Sequence, residues 1–322
     1  MQDKLKIIFM GTADFAVPQL FAIYEAGHHI AAVVTVPDKP AGRGLKLNES
    51  PVKKAALQLD LPILQPQNLS SSDFIDRIRQ LDANLFVVVA FRMLPESVWK
   101  IPKYGTINLH ASVLPQFRGA APINWAVING ESRTGLTTFF INEKIDEGNI
   151  IDYVEVPIGD DETAGELHDK LVPFGQKLML ETIEKIVSGN YVCTKQNDMS
   201  VEGELKLAPK IFKNDCLIDW SKDGESIFNL VRGLSPYPAA FTHFMLINDD
   251  KIYSAKIYKV KFERENHDNF ILGNLVTDNV NYIKIMVSNG WIFIEEMQLE
   301  GRKRMKVEEF LRGKSVKSLV FE

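Results

Sequence analysis

Apolar positions fall into two regimes along the chain. Before about residue 190, short and wholly apolar runs alternate with stretches of helical periodicity; beyond about 210, apolar and polar residues tend to alternate one by one. Residues 6–10 (KIIFM) form an apolar run closed by Gly11, and the helical segment that follows has Pro18 suited to a first turn and stops near Gly27. Residues 30–36 predict a second strand. The run 85–90 (LFVVVA) is apolar throughout, as in a strand covered on both faces of a parallel sheet. Helical patterns over 51–59 and 70–81 lie between these strands, and a further strand is predicted over 106–110. This alternation predicts an α/β fold with a doubly wound, mostly parallel, Rossmann-like sheet.

Further along, residues 123–129 read as a helix, 135–141 as a strand and 149–156 as its hairpin partner, with the tip NEKIDEGN between them. Gly148 is expected to supply a positive φ in that tip. A long amphipathic helix or helix pair over 163–188 opens at a Thr163 cap, is interrupted at Pro173 and stops at Gly189. Residues 190–208 lose all periodicity and read as a linker between a domain over 1–189 and a second over 209–322. In the second, Tyr258, Val260 and Phe262 alternate with lysines, and Ile283, Ile285 and Val287 with other residues, which predicts a small β-barrel or sandwich. The run 301–306 (GRKRMK) reads as an exposed basic hairpin.

Chemistry concentrates in residues 105–122, GTINLHASVLPQFRGAAP. In an extended segment Thr106, Asn108 and His110 share one face and Ile107 and Leu109 the other. Pro115, Gly119 and Pro122 then enforce a loop. Taken singly, Asn108 can be a turn residue and His110 a hydrogen-bonded core histidine. As a pair at i and i+2 they offer an oxyanion donor beside a proton donor or acceptor, the combination that acyl transfer needs. Asp146 in the hairpin tip reads by itself as turn chemistry, with a carboxylate aimed back at His110 as the alternative.

Charge and composition narrow the class. The 322 residues are 45% apolar and 25% charged with net charge -5, and the acidic excess lies wholly before residue 200. A soluble two-domain protein is expected. The N-terminus runs straight into a strand, with no signal-like or membrane-spanning run, so a cytoplasmic address and no membrane partner are expected. Cys193 and Cys216 are far apart and neither forms a Cys-x-x-Cys pair, so no metal site is expected. The turn GTADFA has alanine at 13 and 16 where a dinucleotide fingerprint needs glycine. The connection 37–54 (PDKPAGRGLKLNESPVKK) reads as a long irregular insert with basic residues at 39, 43, 46, 53 and 54: a solvated loop, or an electropositive flap for a polyanion.

With these motifs in hand, the chain resembles the folate-dependent formyltransferases nearly end to end. NLHASVLPQFRGAAPINWAVINGE is similar to the signature around the family's Asn, His and Ser-x-Leu-Pro elements, IDEGNII to its Asp-x-Gly hairpin, and PDKPAGRGLKL to the insert of its tRNA-directed members. Val113 stands where most members carry leucine, and Phe91-Arg92-Met93 where tyrosine and glycine often precede the next apolar residues. The resemblance implies Asn108, His110 and Asp146 as the catalytic residues, which reverses the turn reading of Asp146. It implies a folate site at Ser112, Val113, Leu114 and Pro115 with Phe91, Met93 and Leu94 beside it, tRNA contact through Arg43 and Lys46, and an OB-like C-terminal barrel.

The implied activity is transfer of a formyl group from 10-formyltetrahydrofolate, as cosubstrate, to the α-amine of methionine on initiator tRNA, by a monomer without metal. Formylation of an amino-sugar nucleotide is the alternative, and a small nucleotide sugar has no use for the basic insert. A non-catalytic tRNA-binding protein is a third reading, opposed by the joint presence of Asn108, His110 and Asp146.

Overall fold

Seven strands build the first sheet of the computed structural model, which describes residues 5–41, 46–200, 203–246, 251–265, 271–314 and 316–320. In chain order they are β1 (Lys6–Gly11), β2 (His29–Val34), β3 (Ile63–Leu64), β4 (Leu85–Val89), β5 (Thr106–His110), β6 (Arg133–Phe140) and β7 (Ile150–Pro157). Their spatial order is β7-β6-β5-β4-β1-β2-β3. Strand β1 is parallel to β2 and β4, and β4 is parallel to β5, whereas β5 and β6 are antiparallel. This is the mostly parallel sheet that the apolar runs predict. All of β4 is buried, and on one face Phe86 and Val88 join Ile8 and Met10 in packing against Phe74 and Ile78 of helix Ser72–Gln80.

The chain steps from β1 outward to β2 and β3, then returns to the far side of β1 for β4 and β5. That reversal opens a crevice at the carboxyl ends of β1 and β4, where open α/β sheets bind ligands. Register places Gly11 beside Val89 and Val89 beside Leu109. The segments that follow residues 11, 89 and 110 therefore all leave along one edge.

Three local outcomes differ from the pattern reading. The connection after β2 is not wholly irregular: Lys39–Ala41 pairs antiparallel with Lys46–Asn48. Arms of three residues are too short for alternation to register. The insert's base is fixed by Lys53, which bonds both Asp38 and Glu49, and by Ser50, whose hydroxyl caps helix Pro51–Gln58 by accepting from the Lys53 amide. Second, residues 164–188 form one helix, Ala164–Ser188, with Pro173 inside it. An interior proline costs about 3 kcal/mol; burial of Leu171, Leu178, Met179 and Ile183 on the same helix offsets that cost. Third, residues after Gly189 are tied to the sheet, because Thr194 and Ile150 exchange backbone hydrogen bonds of 2.8 and 2.9 Å.

Contacts divide the chain into two compact units. One comprises Met1–Pro122, Thr134–Val156 and His168–Leu207, the other Ile123–Arg133, Pro157–Leu167 and Ala208–Glu322. The second unit holds a near-barrel antiparallel sheet of β8 (Ala240–Leu246), β9 (Ile252–Arg264), β10 (Leu275–Thr277), β11 (Ile283–Val287), β12 (Gly290–Leu299), β13 (Met305–Lys306) and β14 (Val316–Val320). Burial in β8 alternates residue by residue, the period-two signature of a strand with one dry face. Helix Gly224–Leu234 sends Ile227, Val231 and Leu234 into the same core as Phe244, Ile257 and Ile292. Gly224 is required there, since a Cβ would lie 2.0 Å from the Phe262 ring. Residues 301–306 do form a turn into β13, and Arg304 bonds Glu296 and lies 4.5 Å over the Tyr258 ring. No helix among the described residues is long and apolar enough to cross a membrane.

Candidate active site

Strand β5 carries the two central polar residues to the crevice edge. Its neighbours are β4 and β6, with Asn108 opposite Val88 on one side and Phe139 on the other. Asn108 is half-buried, and its side-chain amide has no hydrogen bond among the described residues. His110 is only 6% exposed. Its Nε2 lies 2.8 Å from the Phe117 carbonyl oxygen. A carbonyl can only accept, so Nε2 carries a proton and Nδ1 is the ring nitrogen open to exchange.

Nδ1 faces the hairpin tip. The Asp146 carboxylate oxygen Oδ2 is 3.8 Å from it, inside ion-pair reach and beyond a hydrogen bond. The same oxygen accepts a 3.0 Å hydrogen bond from the Gly119 amide. Sequence reasoning assigned the positive φ of this tip to Gly148, but Asp146 takes it, at φ 53°. Aspartate tolerates that conformation better than most side chains. Gly148 serves close approach instead: a Cβ there would sit 1.6 Å from the Phe140 carbonyl oxygen.

The loop after β5 is held from within. Ser112 is fully buried and its hydroxyl donates to the Gln116 carbonyl at 2.6 Å. Thr137 of β6 bridges the loop, donating to the Ser112 carbonyl at 2.7 Å and accepting from the Leu114 amide at 3.1 Å. Leu114 packs on Phe139 and Ile150, Pro115 is buried, and Val113 is half-buried. Along the neighbouring edge, Leu94 is buried, Phe91 is half-buried and Met93 is 67% exposed. Arg92 anchors this segment by donating to the Gln67 and Pro66 carbonyls.

Two further site residues have no role assigned by the sequence, Arg118 inside the motif loop and Gln196 outside every motif. Arg118 donates through Nε and Nη2 to the Gln196 side-chain oxygen at 2.9 and 2.7 Å, and Nη1 lies 3.3 Å from Glu147. Gln196, 4% exposed, donates to the carbonyls of Asp146 and Gly148 at 2.8 and 2.9 Å. It falls in the stretch that lacks periodicity because its contacts are polar rather than apolar. Arg43 lies outside the described residues. Lys46 begins an arm of the hairpin after β2, and only its backbone is described. No cluster of three or more potential metal-ligating side chains occurs among the described residues.

The family model for the formyl transferase domain matches residues 4–183, and that for the formyl transferase C-terminal domain matches 210–315. The chain belongs to the formyl transferase family. Its relatives include the methionyl-tRNA formyltransferase of Bacteroides thetaiotaomicron, 48% identical over 312 residues that cover 97% of this chain and 96% of the relative. That of Flavobacterium johnsoniae is 48% identical over 311 residues, covering 97% and 96%. Among solved structures, the sugar 3N-formyl transferase WlaRD, determined with dTDP and 5-N-formyl-THF, aligns at a TM-score of 0.63 and 22% identity over 93% of this formyl transferase and 99% of WlaRD. HypX from Aquifex aeolicus in complex with tetrahydrofolic acid aligns at 0.62 and 16% identity, covering 99% of this chain and 51% of HypX.

Proposed function

We propose that this formyl transferase moves the formyl group of 10-formyltetrahydrofolate to the α-amine of methionine esterified to initiator tRNA. The observation that carries the chemistry is the unspent Asn108 amide, one residue pair away from a histidine whose free nitrogen faces a carboxylate. An amide with no partner among the described residues, near a strand end, suits a donor reserved for substrate. The relatives, at 48% identity over nearly the whole chain, favour charged tRNA as acceptor.

Folate supplies an activated one-carbon unit, so the protein's task is positioning and charge stabilisation. Asn108 donates its side-chain N–H to the formyl oxygen, and that bond strengthens as the neutral amine adds and negative charge gathers on the oxygen. His110, with Nε2 held by Phe117, uses Nδ1 to take the proton that the attacking amine loses and to return it to folate N10 as the bond between N10 and the formyl carbon breaks and tetrahydrofolate leaves. Asp146 compensates the imidazolium that forms when Nδ1 takes a proton, and Gly119 keeps the carboxylate in place. The folate site is assigned to the edge that runs from Phe91, Met93 and Leu94 to the Ser112–Val113–Leu114–Pro115 loop. The Ser112 hydroxyl and Leu114 amide are spent inside the protein, which leaves shape and apolar wall as their contribution. The insert bearing Arg43 and Lys46, anchored by Lys53 and Asp38, is assigned to tRNA.

One assay tests this reading. The protein is incubated with formyl-labelled 10-formyltetrahydrofolate and either methionyl initiator tRNA or a 4-amino sugar nucleotide. Label on the tRNA is expected; label on the sugar, or on neither, overturns the proposal.

A further inference from the structure

Gln196 lies fifty residues beyond Asp146 of the hairpin tip in sequence, yet it bonds the tip at two carbonyls, those of Asp146 and Gly148, with Glu147 between them. Its amide is saturated. Two N–H groups go to the Asp146 and Gly148 carbonyls, and the oxygen receives two N–H groups from Arg118. The orientation admits no reversal, since flipping the amide would set oxygen against two carbonyls and N–H against a guanidinium.

Arg118 stands between the two backbone groups that address the catalytic pair. Phe117, just before it, gives its carbonyl to His110, and Gly119, just after it, gives its amide to Asp146. Arg118 also pairs with Glu147, which Lys144 approaches at 3.6 Å; these are the charged groups that the clamp displays around Asp146. One buried side chain thus joins the turn that fixes His110 to the turn that fixes Asp146.

We propose that Gln196 is a positioning residue for the transfer reaction. By locking the hairpin tip to the loop after β5, it sets where the Asp146 carboxylate stands relative to His110. The inference rests on the role given to Asp146 above. Gln196 bonds Asp146, Gly148 and Arg118, so its effect on the reaction is exerted through the placement of the Asp146 carboxylate. A displacement of about 1 Å in such a group can cost about 100-fold in rate.

The test is a double-mutant cycle on the full chain, read with hydrogen exchange. Gln196→Ala and the isosteric Gln196→Glu, which keeps the acceptor for Arg118 but cannot donate to the carbonyls, are each made alone and with Asp146→Asn. Each single change should lower kcat at least about tenfold, leave the Kd for folate within about twofold, and speed exchange of the Gly119 amide. In the Asp146→Asn background the further loss in kcat should be under about twofold. An equal loss in both backgrounds shows Gln196 to be merely structural and overturns the proposal, as does an unchanged kcat. If the wild-type protein formylates no tRNA, the functional reading fails, whereas unchanged Gly119 exchange in an active wild-type background identifies failure of the clamp itself.

Discussion

The Asp146 carboxylate holds a 3.0 Å bond from the Gly119 amide and stands 3.8 Å from His110 Nδ1, so it is pinned by backbone while it faces the imidazole. Asparagine tolerates the same left-handed backbone and still accepts from Gly119. Asp146→Asn should therefore keep the fold and folate affinity but lower kcat about 100-fold and alter the pH dependence of kcat. Superimposable pH profiles with near-normal turnover would reduce Asp146 to a turn residue.

Asn108 offers a contrasting test, because its side-chain amide has no hydrogen bond among the described residues. Asn108→Ala should cost about 100- to 1,000-fold in kcat. Stability and folate Kd should hardly change. Thermal unfolding and folate titration, run beside the kinetics, check the three quantities; weakened folate binding with intact turnover of the bound complex would contradict the assignment.

The insert after β2 is anchored at its base by Lys53 to Asp38, whose carboxyl is held below its ordinary pKa first by the hydrogen bond from Lys53 and then by that from Gln65. A guanidinium at Arg43 can grip phosphate bidentately in a way that lysine cannot. Arg43→Ala and, less severely, Arg43→Lys should weaken productive use of methionyl-tRNA and leave folate binding alone. For a phosphate contact the slope of log K against log salt should drop by about one. A constant slope with poorer discrimination among tRNAs would point to base contact, and no change at all would return the acceptor question to the amino-sugar nucleotide.

Stability of the second unit should depend on pH through Asp223. Its carboxylate caps helix Gly224–Leu234, and its pKa is lowered first by the hydrogen bond from the Ser226 amide and next by the Ser226 hydroxyl. A carboxyl depressed in the folded state stabilises above its unfolded pKa of about 3.9 and loses that contribution as pH falls through the folded value. Asp223→Ala should cost about 1 kcal/mol at pH 7, and the gap to wild type should narrow steadily below about pH 4. Urea melts at several pH values measure it.

The parallel sheet was legible because β4 is buried on both faces and contains nothing but apolar residues, and the barrel because apolar residues alternate along β9 and β11. Asn108 and His110 were legible by their shared face on β5. Asp146 was visible only as the lesser alternative to turn chemistry, and the family resemblance decided for it. The continuity of the helix through Pro173 was not legible, because local propensity argues for a break and tertiary burial overrides it. Gln196 was least visible of all, and the motif that contains Arg118 gave that arginine no role. They act through directional bonds to carbonyls and to each other, and such bonds leave no periodic trace in a sequence.

The anchoring of Thr194 and Gln196 bears on how the protein can be dissected. A fragment cut at residue 189, where the long helix stops, would keep Asn108, His110 and Asp146 yet discard the backbone pairing with Ile150 and both amide bonds to the hairpin tip. The first unit continues to Leu207. A cut there retains Thr194, Gln196 and the bonds they make to β7 and the hairpin tip, so a piece that keeps the catalytic arrangement has to run past the end of the long helix.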